Sequence, residues 1–338
     1  MRILEQKQKF LNQTVKHMPA KLRLLYEFGI FALSCSRIMS IRGNARCHIG
    51  NHHTAKSKAF RLLNHDAFTS LIPELLQSLS LVHWNSIISL DFSDFHGWQV
   101  LTFALHTRKG RAIPVYFEII RYPLTKDWQN VFIKEAVEHF VSLVGCTPMI
   151  VMDRGFACPS IAEYLADTCH PFIIRIKQCK QYETLSTHRK VKANNAPKGD
   201  LRVCIYNKKL RLVISDLKPG MDERWYLITN DTIHARSTII KRYYYRFEIE
   251  EFFKDAKWIQ GMEHTTFEKK ESIAIVLWFV LIGWWIMYRA RPLLSSYPEQ
   301  KTRQKNRISF MRAWMEAEER EKNQLVRQYY AQQLTPVK

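Results

Sequence analysis

Apolar residues in the middle of the chain are spaced in a way that predicts strands joined to helices. Three apolar runs with turn-length breaks between them predict an antiparallel meander: NSIISLDFSDF, GWQVLTFALHT and AIPVYFEIIR. Residues 128–144 carry apolar side chains at helical spacing. A short buried strand, TPMIVMD, then precedes a helix from Pro159 to about Asp167 and a further strand, PFIIRI. This order of elements predicts an α/β fold built on a mixed sheet.

The pattern changes between about residues 177 and 222. Short strand candidates, LRVCIYN and KLRLVISDL, alternate there with Lys-rich loops and with turn signals. The next segment, RWYLITN, again has the composition of a buried strand. We therefore predict that a β-rich insertion at about 177–222 interrupts the α/β layer.

The segment KRYYYRFEIEEFFKDAKW, residues 241–258, has helical periodicity with one polar stripe. At about 100° per residue, the stripe fits within an arc of about 60°. It consists of Tyr243, Arg246, Glu250 and Lys257. Apolar residues cluster on the opposite side of the same predicted helix: Tyr245, Ile249, Phe252, Phe253, Ala256 and Ile259. The pattern predicts a helix with one buried face, and its stripe is either a set of ion pairs on a solvated surface or a functional site.

An uncharged run of 15 residues, IAIVLWFVLIGWWIM at 273–287, is the most apolar part of the chain. It is shorter than the roughly 20 residues that cross a bilayer, so we predict a buried core helix. A transmembrane span remains the alternative, since Arg289 and Arg291 follow the run and would suit a membrane surface.

Both ends of the chain are basic. We predict a helical, basic DNA-binding region at 1–80, a catalytic core at 81–290 and a basic helical region at 291–338. The basic residues near the N-terminus could equally form a solvated charged face. They are Arg37, Arg42, Arg46, Lys56, Lys58 and Arg61.

The composition narrows the class of partner. The formal net charge of the 338 residues is +20, so a polyanion is expected, with nucleic acid ahead of an anionic membrane surface. Seven scattered cysteines without a CxxC pair argue against a disulfide framework and against a cysteine-rich zinc module. The crowded group Cys47, His48, His52 and His53 is a poor zinc site for want of a second cluster. A reducing cytoplasm fits this cysteine usage.

Three carboxylates stand out against this background. Asp91 interrupts the apolar run SIISLDF, where an unpaired buried charge would cost several kcal/mol. Asp153 follows the strand PMIVM at the end where α/β sheets display functional groups. If the strands of Asp91 and Asp153 are neighbours and the Glu250 helix packs across them, the three acids can hold two Mg²⁺ ions about 3.5–4 Å apart. That arrangement cleaves phosphodiesters.

Each acid also has a structural interpretation. Asp94 in FSDF is an alternative to Asp91, although Asp91 is deeper in its apolar run. Asp153 is a candidate helix N-cap, and Glu250 a candidate ion-pair partner. We prefer the hypothesis of one shared metal site.

The same residues resemble a known family. They form a DFS segment at Asp91, a DRGF segment at Asp153, and Y-x2-R-x3-E-x6-K at Tyr243, Arg246, Glu250 and Lys257. This combination resembles the bacterial DDE transposases with the YREK signature, the insertion-sequence-four family. The resemblance covers residues from about 80 to 290 and is looser at both ends. It implies an RNase H-like core interrupted by a β-strand insertion between the second Asp and the Glu.

The resemblance also implies a reaction. Asp91, Asp153 and Glu250 would bind divalent metal, Mg²⁺ or Mn²⁺ and two ions in all, and water activated there would nick DNA at the transposon end. The freed 3′-OH would attack the opposite strand to form a hairpin, and later the target. Partners implied are double-stranded DNA, as transposon ends and as target, and a second copy of the chain when assembled on DNA. The expected location is the bacterial cytoplasm, on the nucleoid, without membrane attachment.

By position, the resemblance assigns DNA contacts to four further residues. Tyr243 and Arg246 would hold phosphates near a flipped base, and Lys257 would contact the terminal backbone. Trp225 occupies the place of a Trp that stacks in relation to the flipped base, with ordinary strand packing as the alternative. An RNase H-like nuclease without strand transfer would share the three acids, and an inactive DNA-binding remnant would share the basic surfaces. A membrane protein built around 273–287 is a third alternative.

Overall fold

A computed structural model describes most of the chain between residues 81 and 294. The described residues are 5, 9, 81–95, 97–108, 110–123, 127–217, 222–259, 268–294, 316, 317, 319–321, 323 and 324. The predictions for 1–80 and 295–338, including the group around Cys47, lie almost entirely outside them. The chain divides into two compact units, residues 79–251 and residues 1–78 with 252–338. The three-part division at 80 and 290 stays a prediction.

One mixed sheet dominates the unit 79–251. Its strands are β1 Ile87–Phe95, β2 Trp98–Leu105, β3 Ile113–Arg121, β4 Met149–Met152, β5 Phe172–Ile176, β6 Gln181–Thr184, β7 Lys190–Lys192, β8 Asp200–Ile205, β9 Lys208–Ile214 and β10 Tyr226–Thr229. Their order is β3-β2-β1-β4-β5-β10-β9-β8-β6-β7. The β1–β2–β3 meander is antiparallel, whereas β1, β4 and β5 run parallel. The predicted α/β fold with an RNase H-like mixed sheet is confirmed.

The predicted β-rich insertion is confirmed as well. Strands β6 to β9 lie within 177–222 and extend the same sheet beyond β10. Strand β10 pairs antiparallel with β5 on one side and with β9 on the other. The insertion therefore continues the core sheet.

The helices within the described residues are α1 Trp128–Val144, α2 Pro159–Asp167, α3 Arg236–Tyr244, α4 Phe247–Lys254 and α5 Lys270–Leu294. A 3₁₀ turn at Arg154–Phe156 follows β4, and a π-helical segment at Asp255–Ile259 follows α4. Helix α1 ends at Gly145, whose φ of 67° is left-handed and whose N–H donates to Val141 O. Pro159 occupies the first turn of α2, where its missing N–H costs nothing.

The central strands are covered by helices on both faces. On one face, α1 packs through Phe140, whose ring centroid lies 4.7 Å from that of Phe103. On the other face, a buried cluster joins the sheet to α3 through Ile239 and Tyr243. The sheet contributes Ile87, Met149, Val151, Ile173, Val213, Trp225 and Leu227 to this cluster. Because strand side chains alternate, each position of β1 faces either α1 or α3.

The helix α5 accounts for the apolar run at 273–287. Its buried side chains include Ile273, Val276, Leu281, Trp284 and Trp285. The ring of Phe252 meets that of Trp284 edge to face at 5.0 Å. The predicted buried core helix is confirmed, and within the described residues no helix is both long and apolar enough to cross a membrane.

The prediction of one continuous helix over 241–258 is wrong. Helix α3 ends at Tyr244, and α4 begins at Phe247 after a turn. Across this turn the backbone bonds tighten to i→i+3, with Arg246 N donating to Tyr243 O at 3.0 Å and Glu248 N to Tyr245 O at 3.0 Å. The bend lets the backbone carbonyl of Glu248 accept from Ala112 N at 3.0 Å. A long-range contact thus takes precedence over the local helical pattern.

Candidate active site

Asp91 and Asp153 lie side by side where the pairing of β1 with β4 ends. Parallel strands β1 and β4 pair Leu90 with Met152, and the two acids are the next residues on each strand. The condition on which a shared site depends, that the meander's first strand is central and adjoins the strand before Asp153, is met. Asp153 therefore lies just beyond the carboxyl end of β4, where α/β sheets present functional groups, and Asp91 lies in the middle of β1, directly after the last residue that pairs with β4.

Strand alternation decides which acid of β1 faces α3. Ile87 belongs to the cluster under α3, so Asp91, an even number of residues away, shares that face. Phe92 points to the other face, where its ring stacks on Phe132 of α1 at 6.5 Å. Asp94 falls on the α1 face, is exposed, and accepts from Gln99 at 3.3 Å. Of the two candidates on β1, only Asp91 is placed beside Asp153.

Each strand acid already binds a backbone amide through one oxygen. Phe92 N donates to Asp91 Oδ1 at 2.9 Å, and Gly155 N donates to Asp153 Oδ1 at 2.7 Å. The second bond caps the 3₁₀ turn Arg154–Phe156, so the N-cap interpretation of Asp153 is right. It does not compete with a functional role, because each carboxylate keeps a second oxygen.

The guanidinium of Arg246 lies between Asp91 and Glu250. Its Nη2 donates to Glu250 Oε1 at 2.6 Å, and its Nη1 lies 3.6 Å from Asp91 Oδ2. The Arg246 side chain is 5% exposed, against 23% for Asp91 and 41% for Glu250. Its guanidinium carbon also lies 4.7 Å from the ring centroid of Phe247, a cation–π contact. The ion-pair interpretation of Glu250 therefore describes this structure.

Asp91 is an acid whose charged form is disfavoured by its surroundings. Burial raises the pKa of Asp91 to about 6, Arg246 opposes the rise, and Asp153 and Glu250 add to it. The contributions of Asp153 and Glu250 to this pKa mean that the three predicted acids interact electrostatically. Like-charged acids gathered in this way need a cation, and Arg246 supplies one here.

Among the described residues, no group of three or more His, Cys, Asp and Glu is arranged to hold a metal ion. The donor types nevertheless suit a hard divalent cation, since Mg²⁺ prefers carboxylate oxygens. The Arg246–Glu250 pair is the specific obstacle, because the carboxylate that would complete the set is bound to a guanidinium. The predicted metal site at Asp91, Asp153 and Glu250 stays a prediction.

Tyr243 and Trp225 belong to the core under α3. Tyr243 is fully buried and Trp225 is 8% exposed. Their rings meet edge to face at 5.0 Å. The alternative of a solvated stripe does not hold for Tyr243, because this side chain lies with Ile239 on the face of α3 that packs on the sheet. Packing accounts for Trp225 as it lies here, and the predicted DNA roles of both residues stay predictions.

Arg175 is a neighbour of the site that sequence reasoning missed. In β5 it follows Ile174, which pairs with Met152, so it lies in register beside Asp153. Its side chain is 16% exposed and bonds to Glu223. Glu223 also meets Arg154 at 3.2 Å. A cation inside the apolar strand PFIIRI was a signal of the same kind as Asp91 inside SIISLDF.

Burial raises the pKa of the Tyr243 phenol, and the cations of Arg246 and Arg175 oppose the rise. The phenol therefore stays neutral and lies near two guanidinium groups. Each of these guanidinium groups is already paired with a carboxylate, Arg175 with Glu223 and Arg246 with Glu250. A phosphate that bound either arginine would therefore replace a carboxylate partner.

Glu248 is a second residue that the sequence did not single out. Its carboxylate accepts from three backbone amides of the β2–β3 loop, Thr107 N at 2.9 Å, Arg108 N at 3.2 Å and Gly110 N at 2.8 Å. Glu248 is 5% exposed. These bonds fix the start of α4, and so the position of Glu250 two residues later.

Lys257, the last residue of the predicted signature, lies in the π-helical segment Asp255–Ile259. This segment belongs to the unit that includes residues 252–338. Its predicted contact with the terminal DNA backbone stays a prediction.

Comparison with known proteins gives one similarity. No curated protein matches the chain. A family model does match, and it covers both Asp153 and Glu250 while starting after Asp91. Residues 130–286 are similar to the family described as the transposase DDE domain, and this match supports a DDE transposase.

Proposed function

We propose that this protein is an insertion-sequence transposase of the YREK type, which binds the ends of its element, cuts the DNA there and joins the ends to a target. The main support is the placement of Asp91 beside Asp153, close to Arg246 in the turn between α3 and α4 and to its ion-pair partner Glu250. The net charge of +20 supports a polyanionic substrate.

Asp91, Asp153 and Glu250 would hold Mg²⁺ or Mn²⁺, with two ions in the full site. When bound, the metal would activate the attacking oxygen and stabilise the leaving oxygen of a phosphodiester. Burial chiefly raises the pKa of Asp91 and the charges of Asp153 and Glu250 add to the rise, so a divalent cation bound there would stabilise the charged carboxylate against both. The one rearrangement required is that Arg246 releases Glu250.

Binding of the DNA substrate would itself break the bond between Arg246 and Glu250. A DNA phosphate offers the guanidinium two acceptor oxygens in place of the Glu250 carboxylate. Phosphate binding and exposure of the three carboxylates would then be one event. Tyr243 would act as a positioning residue, since its buried ring lies 5.7 Å from the Arg246 guanidinium carbon. Lys257 would contact the backbone, and Trp225 would reach a flipped base only if it left its place in the core.

The proposed reaction has two types of step. In the first, a water oxygen forms a bond to phosphorus, the 3′-oxygen leaves and takes up a proton. In the second, that 3′-OH attacks a phosphodiester of the opposite strand to give a hairpin, and after opening it attacks the target. Each transesterification forms one P–O bond and breaks another, so no nucleotide cofactor is required. Two protein copies on two DNA ends would carry out the sequence.

The deciding experiment uses a labelled duplex that contains the DNA flanking the protein's own gene. The full chain is incubated with it and with a supercoiled plasmid, with Mg²⁺ or with a chelator. Metal-dependent nicks at the element end, hairpins and plasmid joining are expected. Nicks without joining would favour the nuclease alternative, and no cleavage by a protein that binds the duplex would contradict the proposal.

A further inference from the structure

A positively charged cavity lies next to the turn that carries Asp153. Its volume is about 560 Å³, within the range of about 300–1,000 Å³ typical of small-ligand pockets. Four cations line it against one carboxylate: Arg154, Lys177, Lys180 and Lys190 against Glu183. The carboxylate is engaged elsewhere, because Glu183 Oε1 lies 2.7 Å from Nδ1 of His188. Arg154 likewise pairs with Glu223 at 3.2 Å, so the excess of positive charge comes mainly from the three lysines.

The walls of the cavity come from the core and from the insertion together. The core supplies the turn after β4, with Arg154 directly following Asp153. The insertion supplies the β5–β6 turn and the β8–β9 turn. The Tyr206 hydroxyl joins the two parts by donating to Ala157 O at 3.0 Å. The backbone of the β5–β6 turn is fixed as well, since Lys180 N donates to Lys177 O at 2.9 Å.

Tyr206 adopts a conformation that a tyrosine rarely takes. Its φ is 52° and that of Asn207 is 56°, so both residues of the β8–β9 turn are left-handed. Hairpin turns of this type favour Asn-Gly or Asp-Gly, because a side chain such as tyrosine is strained there. Strain of this kind is retained where the side chain has a task. Here the ring of Tyr206 lines the cavity, and its hydroxyl bonds the insertion to the segment that follows β4.

The cavity is better suited to phosphate groups than to nucleobases. The Nζ of Lys180 lies 4.4 Å from the ring centroid of Tyr206, so the face of the ring already holds a cation. A nucleobase seeking a stacking partner would have to displace that lysine. Phosphate oxygens, by contrast, can bind the lysines directly and need no particular base.

We propose that this cavity binds backbone phosphates of the DNA that passes the active site. The inference rests on the proposed function in taking DNA as the polyanion. Because Arg154 adjoins Asp153 and lines the cavity, a strand held at the acids would pass close to the cavity. The phosphates belong either to the element's own DNA or to the target, and binding there is independent of sequence.

The first test measures the salt dependence of binding. The full chain with Lys177→Gln and Lys190→Gln is compared with a control carrying Lys192→Gln and Lys209→Gln. All four lysines are exposed and all lie on or beside the insertion strands, but the control pair does not line the cavity. Affinity for a random-sequence duplex is measured by fluorescence anisotropy as salt is varied. The slope of log affinity against log salt should fall by about two for the cavity pair, since each phosphate contact contributes about 0.9.

An equal change in both pairs, or none in the cavity pair, would overturn the proposal.

Two activity assays then identify the source of the phosphates. Slower nicking of an intact element end by the cavity pair assigns them to the element, and slower joining of pre-cut ends to a plasmid assigns them to the target. If the wild type cuts and joins while the cavity pair matches the control in every arm, the cavity has no such role. If the wild type cuts nothing but the salt slopes differ as expected, the proposed function fails and the cavity assignment stands.

Discussion

Arg246 donates to Glu250 at 2.6 Å, four residues along the chain, from a side chain that is 5% exposed. The same guanidinium lies 3.6 Å from Asp91. An arginine thus occupies the position between two acids where the proposed chemistry needs a metal ion. Under the proposed function, the position of Arg246 would control the affinity of these acids for metal.

Replacing Arg246 should strengthen metal binding by the DNA-free protein. In Arg246→Gln, the cation that competes for Glu250 and Asp91 is absent, so the affinity for Mn²⁺ should rise on the order of tenfold. Electron paramagnetic resonance of free Mn²⁺ measures this without any catalysis. Arg242→Gln is the matched control, because Arg242 pairs with Asp231 at 3.1 Å instead. Unchanged or weaker Mn²⁺ binding in Arg246→Gln alone would contradict the idea that Arg246 guards the site.

The three acids should be required for chemistry and not for binding. Asp153→Asn keeps an oxygen that can accept from Gly155 N, so the 3₁₀ turn should survive while a charged ligand is lost. We expect strand cleavage by Asp153→Asn and by Glu250→Gln to fall about a thousandfold, or about 4 kcal/mol in activation free energy. A gel assay of nicking in Mg²⁺, beside an anisotropy measurement of duplex binding, separates the two effects. Full cleavage by either variant would remove that acid from the site.

Glu248 should matter for stability more than its neighbour Glu251. Glu248→Ala leaves three backbone amides of the β2–β3 loop without their acceptor, so the free energy of unfolding should fall by about 3 kcal/mol. Glu251→Ala removes an ion pair with Arg111 at 3.2 Å, in which the Glu251 side chain is 36% exposed. The free energy of unfolding should therefore fall by less than about 1 kcal/mol. Urea unfolding compares the two. Amide hydrogen exchange at Thr107 and Gly110 should accelerate only in Glu248→Ala, and slow exchange there would argue against the anchor.

His106 should make the fold sensitive to acid. Burial lowers the pKa of His106 to about 3, with help from the positive charges of Arg108 and Arg246, while an unfolded histidine titrates near 6.5. The unfolded chain therefore binds the extra proton first, and stability falls as pH drops below 6.5. Between pH 7 and pH 5 the loss from this group should be about 2 kcal/mol.

The pH dependence is tested by replacing His106, whose neighbours are known. The Nε2 of His106 shares a hydrogen bond with Ser89 Oγ at 2.5 Å. The ring centroid of His106 lies 6.4 Å from that of Tyr245. His106→Gln removes the titration, so its urea midpoint should depend less on pH than that of the wild type. Asp91 acts in the opposite sense, since its raised pKa means that the folded chain takes up a proton first as pH falls towards 4. Equal slopes in wild type and variant would rule out His106 as the acid-sensitive group.

Much of this protein is determined by local pattern. The apolar runs predicted the meander, the mixed sheet and the insertion, because a residue period of two or 3.6 shows which side chains must be buried. Asp91 and Asp153 were recognisable for the same reason, as charges where the pattern demands apolar residues. Their adjacency followed from the order of strands in a mixed sheet.

The tertiary structure alone decided how the chain around Glu250 is used. The local pattern over 241–258 was that of one helix, but the bonds from the loop at Thr107 and Gly110 to Glu248 join residues about 140 positions apart, and they accompany a break that periodicity does not show. Tyr243 packs on the sheet at the end of α3, and Arg246 lies in the turn that follows, with its guanidinium 3.6 Å from Asp91. A sequence shows which residues carry charge, whereas the partner of each buried charge depends on which distant segments meet, because the cost of leaving a buried charge unpaired is settled only in the folded chain.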